Sequence, residues 1–226
     1  MQQRSRFRAF TLIELLIVIT IIAILMGLLF PAFRSVQDQA KRAQAKNDET
    51  QIATAVTAYF TDYGKYPLVD LKQGFDTLYG DPGGSYGNED VFNVLRAVPI
   101  GVNAADVLNS RKIVFFNGTS AKDAVHPRSG FATQDTTGEN GSPIKTGAFV
   151  DPWGNTYMVA IDGDYDGSTI DYLPYSDLNY AQLNTSGGVK PGVGAACFGA
   201  SFGKDGTQGT KGDKKYKGSD DVISWQ

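Results

Sequence analysis

The sequence predicts an α+β protein: one long N-terminal helix, apolar in its first half and amphipathic in its second, packed on a small antiparallel β-sheet. Three observations predict it. From Phe10 to Phe30 the chain is apolar except for Thr11, Glu14 and Thr20. Beyond Pro31, apolar and small residues recur at a spacing of about 3.6 residues as far as Phe60. From Ala148 onward the pattern changes to short β-rich runs separated by Asp, Gly and Asn turns.

The first element is a membrane-length helix. An apolar run of about 20 residues at 1.5 Å rise per residue crosses about 30 Å of hydrocarbon. Arg4, Arg6 and Arg8 stand just before it and favour a cytoplasmic N-terminus, with the rest of the chain on the outer side. The stretch Pro31-Ala32-Phe33-Arg34-Ser35 does not read as a signal-peptide cleavage site, so the apolar block is expected to stay. A simple anchor explains the arginines and the length. It does not explain Glu14, since a carboxylate near a bilayer centre costs about 2.5–3.5 kcal/mol on insertion scales unless it sits near an edge and snorkels to water. Gly27 and Pro31 predict a kink or soft point late in the run.

The helix is expected to continue as an amphipathic segment. Val36, Ala40, Ala43, Ile52, Val56, Tyr59 and Phe60 form the apolar side, while Arg34, Asp38, Lys41, Arg42, Lys46, Asp48 and Glu49 lie between them. It should end at Tyr63-Gly64, where glycine suits a helix C-terminus. Residues 68–150 are less informative. Glu89–Val98 reads as a short helix, Lys112–Phe116 as a buried strand, and the Gly/Asp/Ser clusters at 80–88 and 135–147 as loops. Asp151-Pro152-Trp153-Gly154-Asn155 is a turn before a strand at Thr156–Ile161, and further strands are expected at Ala195–Phe202 and Val222–Trp225.

Composition narrows the function. The chain of 226 residues carries a net charge of −3 although three arginines stand ahead of the apolar run, so the remainder is more acidic still. That argues against binding a phosphate backbone, and no nucleic-acid partner is expected. Lys211, Lys214, Lys215 and Lys217 lie among glycines and read as a solvated loop. The single cysteine, Cys197, excludes an intrachain disulfide. With one histidine, His126, far from that cysteine in sequence, no nucleophile–base or metal–water constellation is visible, which leaves a membrane-tethered enzyme as a distant alternative. Asp162-Gly163-Asp164-Tyr165-Asp166-Gly167 has the alternating carboxylates of the first half of an EF-hand loop. Leu173 stands where the bidentate Glu is needed and flanking helices are missing, so Asp162, Asp164 and Asp166 form either a looser calcium loop or an acidic turn.

The segment MQQRSRFRAFTLIELLIVITIIAILMGLLFPAF resembles the N-terminus of type IV pilins and type II secretion pseudopilins. The tract Tyr63-Gly64-Lys65-Tyr66-Pro67 and the D-P-W-G-N turn resemble the major pseudopilins of type II secretion. The resemblance implies that a prepilin peptidase cuts between Ala9 and Phe10 and methylates the new Phe10 amine; Ala9 stands where glycine is usual. It also implies that Glu14 pairs with the Phe10 amine of a neighbouring subunit during assembly. The corresponding parts are a cleaved leader at 1–9, a transmembrane and polymerisation helix at 10–33, its amphipathic continuation at 34–64 and a periplasmic or extracellular α+β domain at 65–226.

The C-terminal loop from Phe202 resembles the calcium loop of major pseudopilins, which implies calcium held by Asp205, by Asp220 or Asp221, and by the Phe202 carbonyl. A long lysine-rich insert separates the two arms, and Ser219 stands where another acid is expected. The implied function is a structural subunit of a type II secretion pseudopilus, single-pass in the bacterial inner membrane with its C-terminal domain in the periplasm. Implied partners are further copies of itself, minor pseudopilins, the prepilin peptidase and the inner-membrane assembly platform. The alternative is a type IV pilin in a surface pilus for adhesion, motility or DNA uptake.

Overall fold

The computed structural model describes residues 11–68, 75–185 and 188–225, so Ala9 and Phe10 lie outside the described residues. The chain divides into two compact units, residues up to Ala40 and residues from Lys41 onward. Helix α1, Leu12–Tyr63, contributes to both.

In the first unit α1 is bare. Its large apolar side chains from Leu12 to Phe30 are all exposed, as are Phe33 and Val36. Among the described residues this is the one helix long and apolar enough to cross a membrane, with a mean hydropathy of 3.0 in its most apolar window. Exposure on that scale is stable against lipid or against other copies, not against water. The helix assignment is unbroken through Gly27–Pro31.

The second unit is an α+β body. Its elements after α1 are β1 (Thr77–Tyr79), α2 (Asn88–Leu95), a 3₁₀ turn (Gly101–Asp106), β2 (Gly130–Phe131), β3 (Thr136–Thr137) and β4 (Pro143–Ile144). There follow β5 (Phe149–Val150), β6 (Met158–Ile161), β7 (Thr169–Ile170), β8 (Ala181–Thr185), β9 (Gly188–Val193), β10 (Cys197–Ser201) and β11 (Val222–Ile223). The main sheet has the order β1-β6-β10-β11 with every pair antiparallel, and β7-β9-β8 form a second antiparallel sheet. β2 pairs with β5 and β3 with β4. The expected α+β class with a long N-terminal helix and antiparallel sheets is what the structure has.

Inside this unit Ala45, Ile52, Ala55, Val56 and Tyr59 of α1 are buried in the main core with Phe92, Phe149, Tyr157, Val159 and Ile161. The stripe Ala45, Glu49, Ile52, Val56, Tyr59 follows helical spacing of three and four. Glu49 therefore belongs to the buried face and not, as expected, to the charged residues between the apolar ones. At the end of α1 the Gly64 amide donates to the Phe60 carbonyl at 2.8 Å. Gly64 has φ +67°, a conformation natural to glycine, and this closes the helix.

Three local expectations need correction. Lys112–Phe116 is not a strand: the Phe115 and Phe116 amides both donate to the Leu95 carbonyl, so this segment completes the end of α2. The 135–147 loop contains the short β3–β4 pair. The helix expected to reach Val98 stops at Leu95, because Ala97 is left-handed at φ +55°.

Asn88 ties α2 to the sheets. Its amide donates to the Phe149 and Tyr157 carbonyls at 2.8 and 2.9 Å, and its carbonyl accepts the Phe149 amide at 3.1 Å. The residue is fully buried. Asn88→Ala leaves the Phe149 amide and the Tyr157 carbonyl without this partner away from water, while the Phe149 carbonyl keeps the Tyr157 amide, and is expected to destabilise the protein by on the order of 3 kcal/mol. Urea unfolding of the full chain in detergent measures it; an unchanged midpoint would contradict the role given to Asn88.

Candidate assembly site and metal centre

The sequence-predicted assembly residue Glu14 is held by its own helix start. The Glu14 carboxylate accepts the Thr11 amide at 2.9 Å and the Thr11 hydroxyl at 2.7 Å, while Thr11 Oγ1 accepts the Glu14 amide at 3.2 Å. This reciprocal capping box satisfies orphan donors at the helix N-terminus. Thr11 was not singled out as functional, although Thr-x-x-Glu before an apolar run is the sequence signature of such a box. Glu14 is exposed, so its carboxylate can exchange this local partner for an external one.

At the other end of the chain a buried turn builds a platform. Asp151 Oδ1 accepts the amides of Trp153, Gly154 and Asn155 at 2.8, 2.7 and 2.9 Å, and its Oδ2 accepts the Ser201 hydroxyl at 2.6 Å. Burial pushes Asp151 up to about 6 despite these bonds. Asn155 then donates to the Gly203 carbonyl at 3.2 Å, so the D-P-W-G-N turn supports the chain as it leaves β10.

Beyond Gly203 the structure brings Asp205, Asp220 and Asp221 together, with one carboxylate oxygen of each within 4.8 Å of the others. Asp220 Oδ2 accepts the Lys204 and Asp205 amides. Asp205 accepts the Thr207 amide and hydroxyl on one oxygen and the Lys211 amide on the other. Asp221 is buried, and its Oδ2 accepts the Gly209 amide at 2.6 Å, while Oδ1 makes no hydrogen bond of full geometry although the Tyr175 phenol lies beside the carboxylate. Burial raises the Asp221 carboxyl to about 6. An orphaned buried oxygen beside two more carboxylates is an unfavourable grouping of like charge unless a proton or a cation joins it. Oxygen-only donors suit a hard divalent cation. The donor set therefore fits calcium. Phe202 packs its ring against the cluster of Met158, Tyr175, Ala200 and Ile223.

The weaker candidate loop behaves differently. Asp162 and Asp164 gather with Asp76, which sequence reading missed, while Asp166 lies outside the group. Asp162 accepts the Tyr165 and Gly167 amides, and Asp76 accepts those of Gly163 and Ile170. Each of these oxygens serves the loop backbone, as those of Asp205 do, but none is a buried oxygen left without a partner, which favours the acidic-turn reading. Burial raises the carboxyls of Asp76 and Asp162. The lysines at 211, 214, 215 and 217 are exposed. Cys197 is buried, which pushes its thiol up to about 12 and keeps it inert.

An apolar helix starting at a capped carboxylate, together with an α+β body that buries the later turns of that helix, is an arrangement consistent with a pilin-like fold. The N-terminal part of the chain is similar to pilins and pseudopilins. Residues 4–30 match the prokaryotic N-terminal methylation motif. The chain is similar to the type II secretion system core protein G of Pseudomonas aeruginosa, with 40% identity over 37% of this chain and 57% of the relative. The same-named protein of Escherichia coli is 29% identical over 45% of this chain and 72% of the relative. The type IV major pilin protein PilA of Myxococcus xanthus is 39% identical over 31% of this chain and 32% of the relative. The chain spans about half the length of the first curated relatives it matches, 57% and 54%. No solved structure matches.

Proposed function

We propose that this chain is a structural subunit of a type II secretion pseudopilus, stored in the inner membrane through α1 and polymerised through the same helix. The observation that carries the proposal is the repeated similarity to type II secretion core protein G from five organisms. The D-P-W-G-N turn and the acidic C-terminal loop support it, and both belong to the part of the chain that lies beyond the anchor.

In this reading the leader stays cytoplasmic, prepilin peptidase cuts between Ala9 and Phe10, and the α+β unit faces the periplasm. Assembly brings Glu14 of one copy to the methylated amine of Phe10 on another. Partners are further copies of the chain, minor pseudopilins and the assembly platform. The role is mechanical, with no catalysis by this chain. Calcium at Asp205, Asp220 and Asp221 would cross-link the two arms of the C-terminal loop, a connection that a lone cysteine cannot make.

Two measurements test the proposal. The mass of the mature chain should correspond to N-methyl-Phe10 as first residue, and an intact leader would contradict the processing. Deleting the chain should stop export of secreted proteins while leaving surface fibres in place. Loss of surface fibres with secretion unchanged would instead support the type IV pilin, which the similarity to PilA keeps as the second reading.

A further inference from the structure

Glu49 has no part in that mechanism, and its setting is unusual. It is fully buried, and neither carboxylate oxygen has a hydrogen-bond partner. It lies on Gly199 of β10, where an added methyl would stand 3.2 Å from both its Cβ and its Cγ. On its own helix, Lys46 directs its ammonium to the Ile223 carbonyl of β11 at 2.7 Å, and Asp48 accepts the Tyr157 hydroxyl at 2.8 Å. From the sheet side it faces Asp151, whose carboxylate is already engaged by Ser201. The Ser201 amide faces Glu49 without reaching hydrogen-bond geometry. Among the described residues the phenols of Tyr157 and Tyr216 also face it. The helix stripe thus places an acid where Ala45, Ile52 and Val56 place apolar side chains, and one lysine is set against two neighbouring carboxylates.

We propose that Glu49 is a proton-operated latch between α1 and the main sheet: it is a neutral carboxylic acid while this part of the helix is packed on β10, and ionising it loosens the packing. A neutral acid tolerates the site because its burial cost is that of a hydroxyl and a carbonyl. An ionised one without partners is penalised far more heavily.

Burial drives the Glu49 carboxyl well above its usual range, Lys46 lowers it in part, and Asp48 and Asp151 raise it further. The unfolded chain releases this proton near 4.5, while the folded chain keeps it to higher pH. The stabilisation is therefore fully present below the unfolded value and is lost as pH rises through the folded one. Each unit of separation corresponds to about tenfold in the unfolding constant. Asp151, at about 6, and Asp48, also raised by burial, act with the same sign, so a variant must isolate the share of Glu49.

The experiment compares the full chain in detergent with Glu49→Gln by urea unfolding between about pH 5 and about pH 8. Hydrogen exchange of the Lys41–Tyr63 part of α1 and of β10 is followed in parallel. The wild-type midpoint should fall as pH rises. Glu49→Gln should show a shallower fall, exceed the wild type at the alkaline end and keep its exchange protection there. An equal pH slope in the two proteins, or a variant weakened equally at every pH, would overturn the latch. Should the variant fail to fold, the infrared carbonyl band of a protonated carboxylic acid in the wild-type protein at about pH 7.5 decides the matter, and its absence overturns the proposal.

Discussion

Glu14→Ala is expected to leave membrane insertion and leader removal intact and to abolish filament assembly. The variant makes α1 more apolar, which removes a cost of about 2.5–3.5 kcal/mol at a bilayer centre and less near its edge. Storage in the membrane therefore becomes easier and exit harder. In the wild type the carboxylate has a local partner in Thr11, through a hydroxyl and an amide at 2.7 and 2.9 Å. That capping box is worth on the order of 1 kcal/mol. It holds the acid at the helix start without neutralising it. A cation does that without protonating the acid, and in low dielectric an opposite charge within about 4 Å offsets much of the penalty. The proposed cation is the methylated Phe10 amine of an incoming copy. Electron microscopy of sheared or overexpressed filaments reads the outcome directly. Normal filaments from Glu14→Ala would defeat the pairing argument, whereas Thr11→Ala is expected to weaken helix capping and retain assembly in part.

The second large effect concerns the cation proposed for the C-terminal loop. Chelation is expected to lower the melting temperature of the full chain in detergent by about 5–10 °C when the starting cation concentration is about 100-fold above its dissociation constant. The estimate follows from the mass-action gain of about 2.7 kcal/mol and the usual slope of about 2–4 °C per kcal/mol at this chain length. Asp221→Asn should remove the response to calcium and to chelator together. It replaces the one ligand candidate whose buried oxygen has no other partner. A chelator effect of full size in Asp221→Asn would move the metal elsewhere, and no bound metal by elemental analysis of the wild type would remove it from the account.

Much of the first unit was legible because its signals are local. The apolar run, the arginines and Glu14 are adjacent in sequence, and bilayer thickness sets the length of such a helix independently of the rest of the chain. The end of α1 at Gly64 was legible for the same reason, since a left-handed glycine closes a helix within one turn. The β-regions were less legible. β1 has three residues and β7 two, too few for alternation to show. β9 contains Gly188, Pro191 and Gly192, which read as turn residues although five of its residues pair with β8. Lys112–Phe116 looks like a strand by composition, yet Leu95 takes the Phe115 and Phe116 amides and Asn109 those of Lys112 and Ile113. Residue type shows that a segment can be extended but not which donor or acceptor meets it.

The candidate sites divide along the same line. Asp205, Asp220 and Asp221 were selected by position in a resembling loop, and the structure adds the orphaned oxygen of Asp221 that distinguishes one acid from the other two. Asp76 could not be linked to Asp162 and Asp164, because nothing near it in sequence marks it as their neighbour. Glu49 was placed among solvent-facing charges because the residues around it are charged, although its helical spacing from Ala45 and Ile52 already pointed inward. By itself the sequence determined the membrane-length helix, the acid near its start and the α+β class, since each depends on residue types within a few turns of one another. The tertiary structure alone decided which carboxylates meet, which oxygen lacks a partner and which acid lies under the sheet. Those outcomes depend on burial and on contacts between residues far apart in the chain, and such distances are set only when the sheet closes over α1.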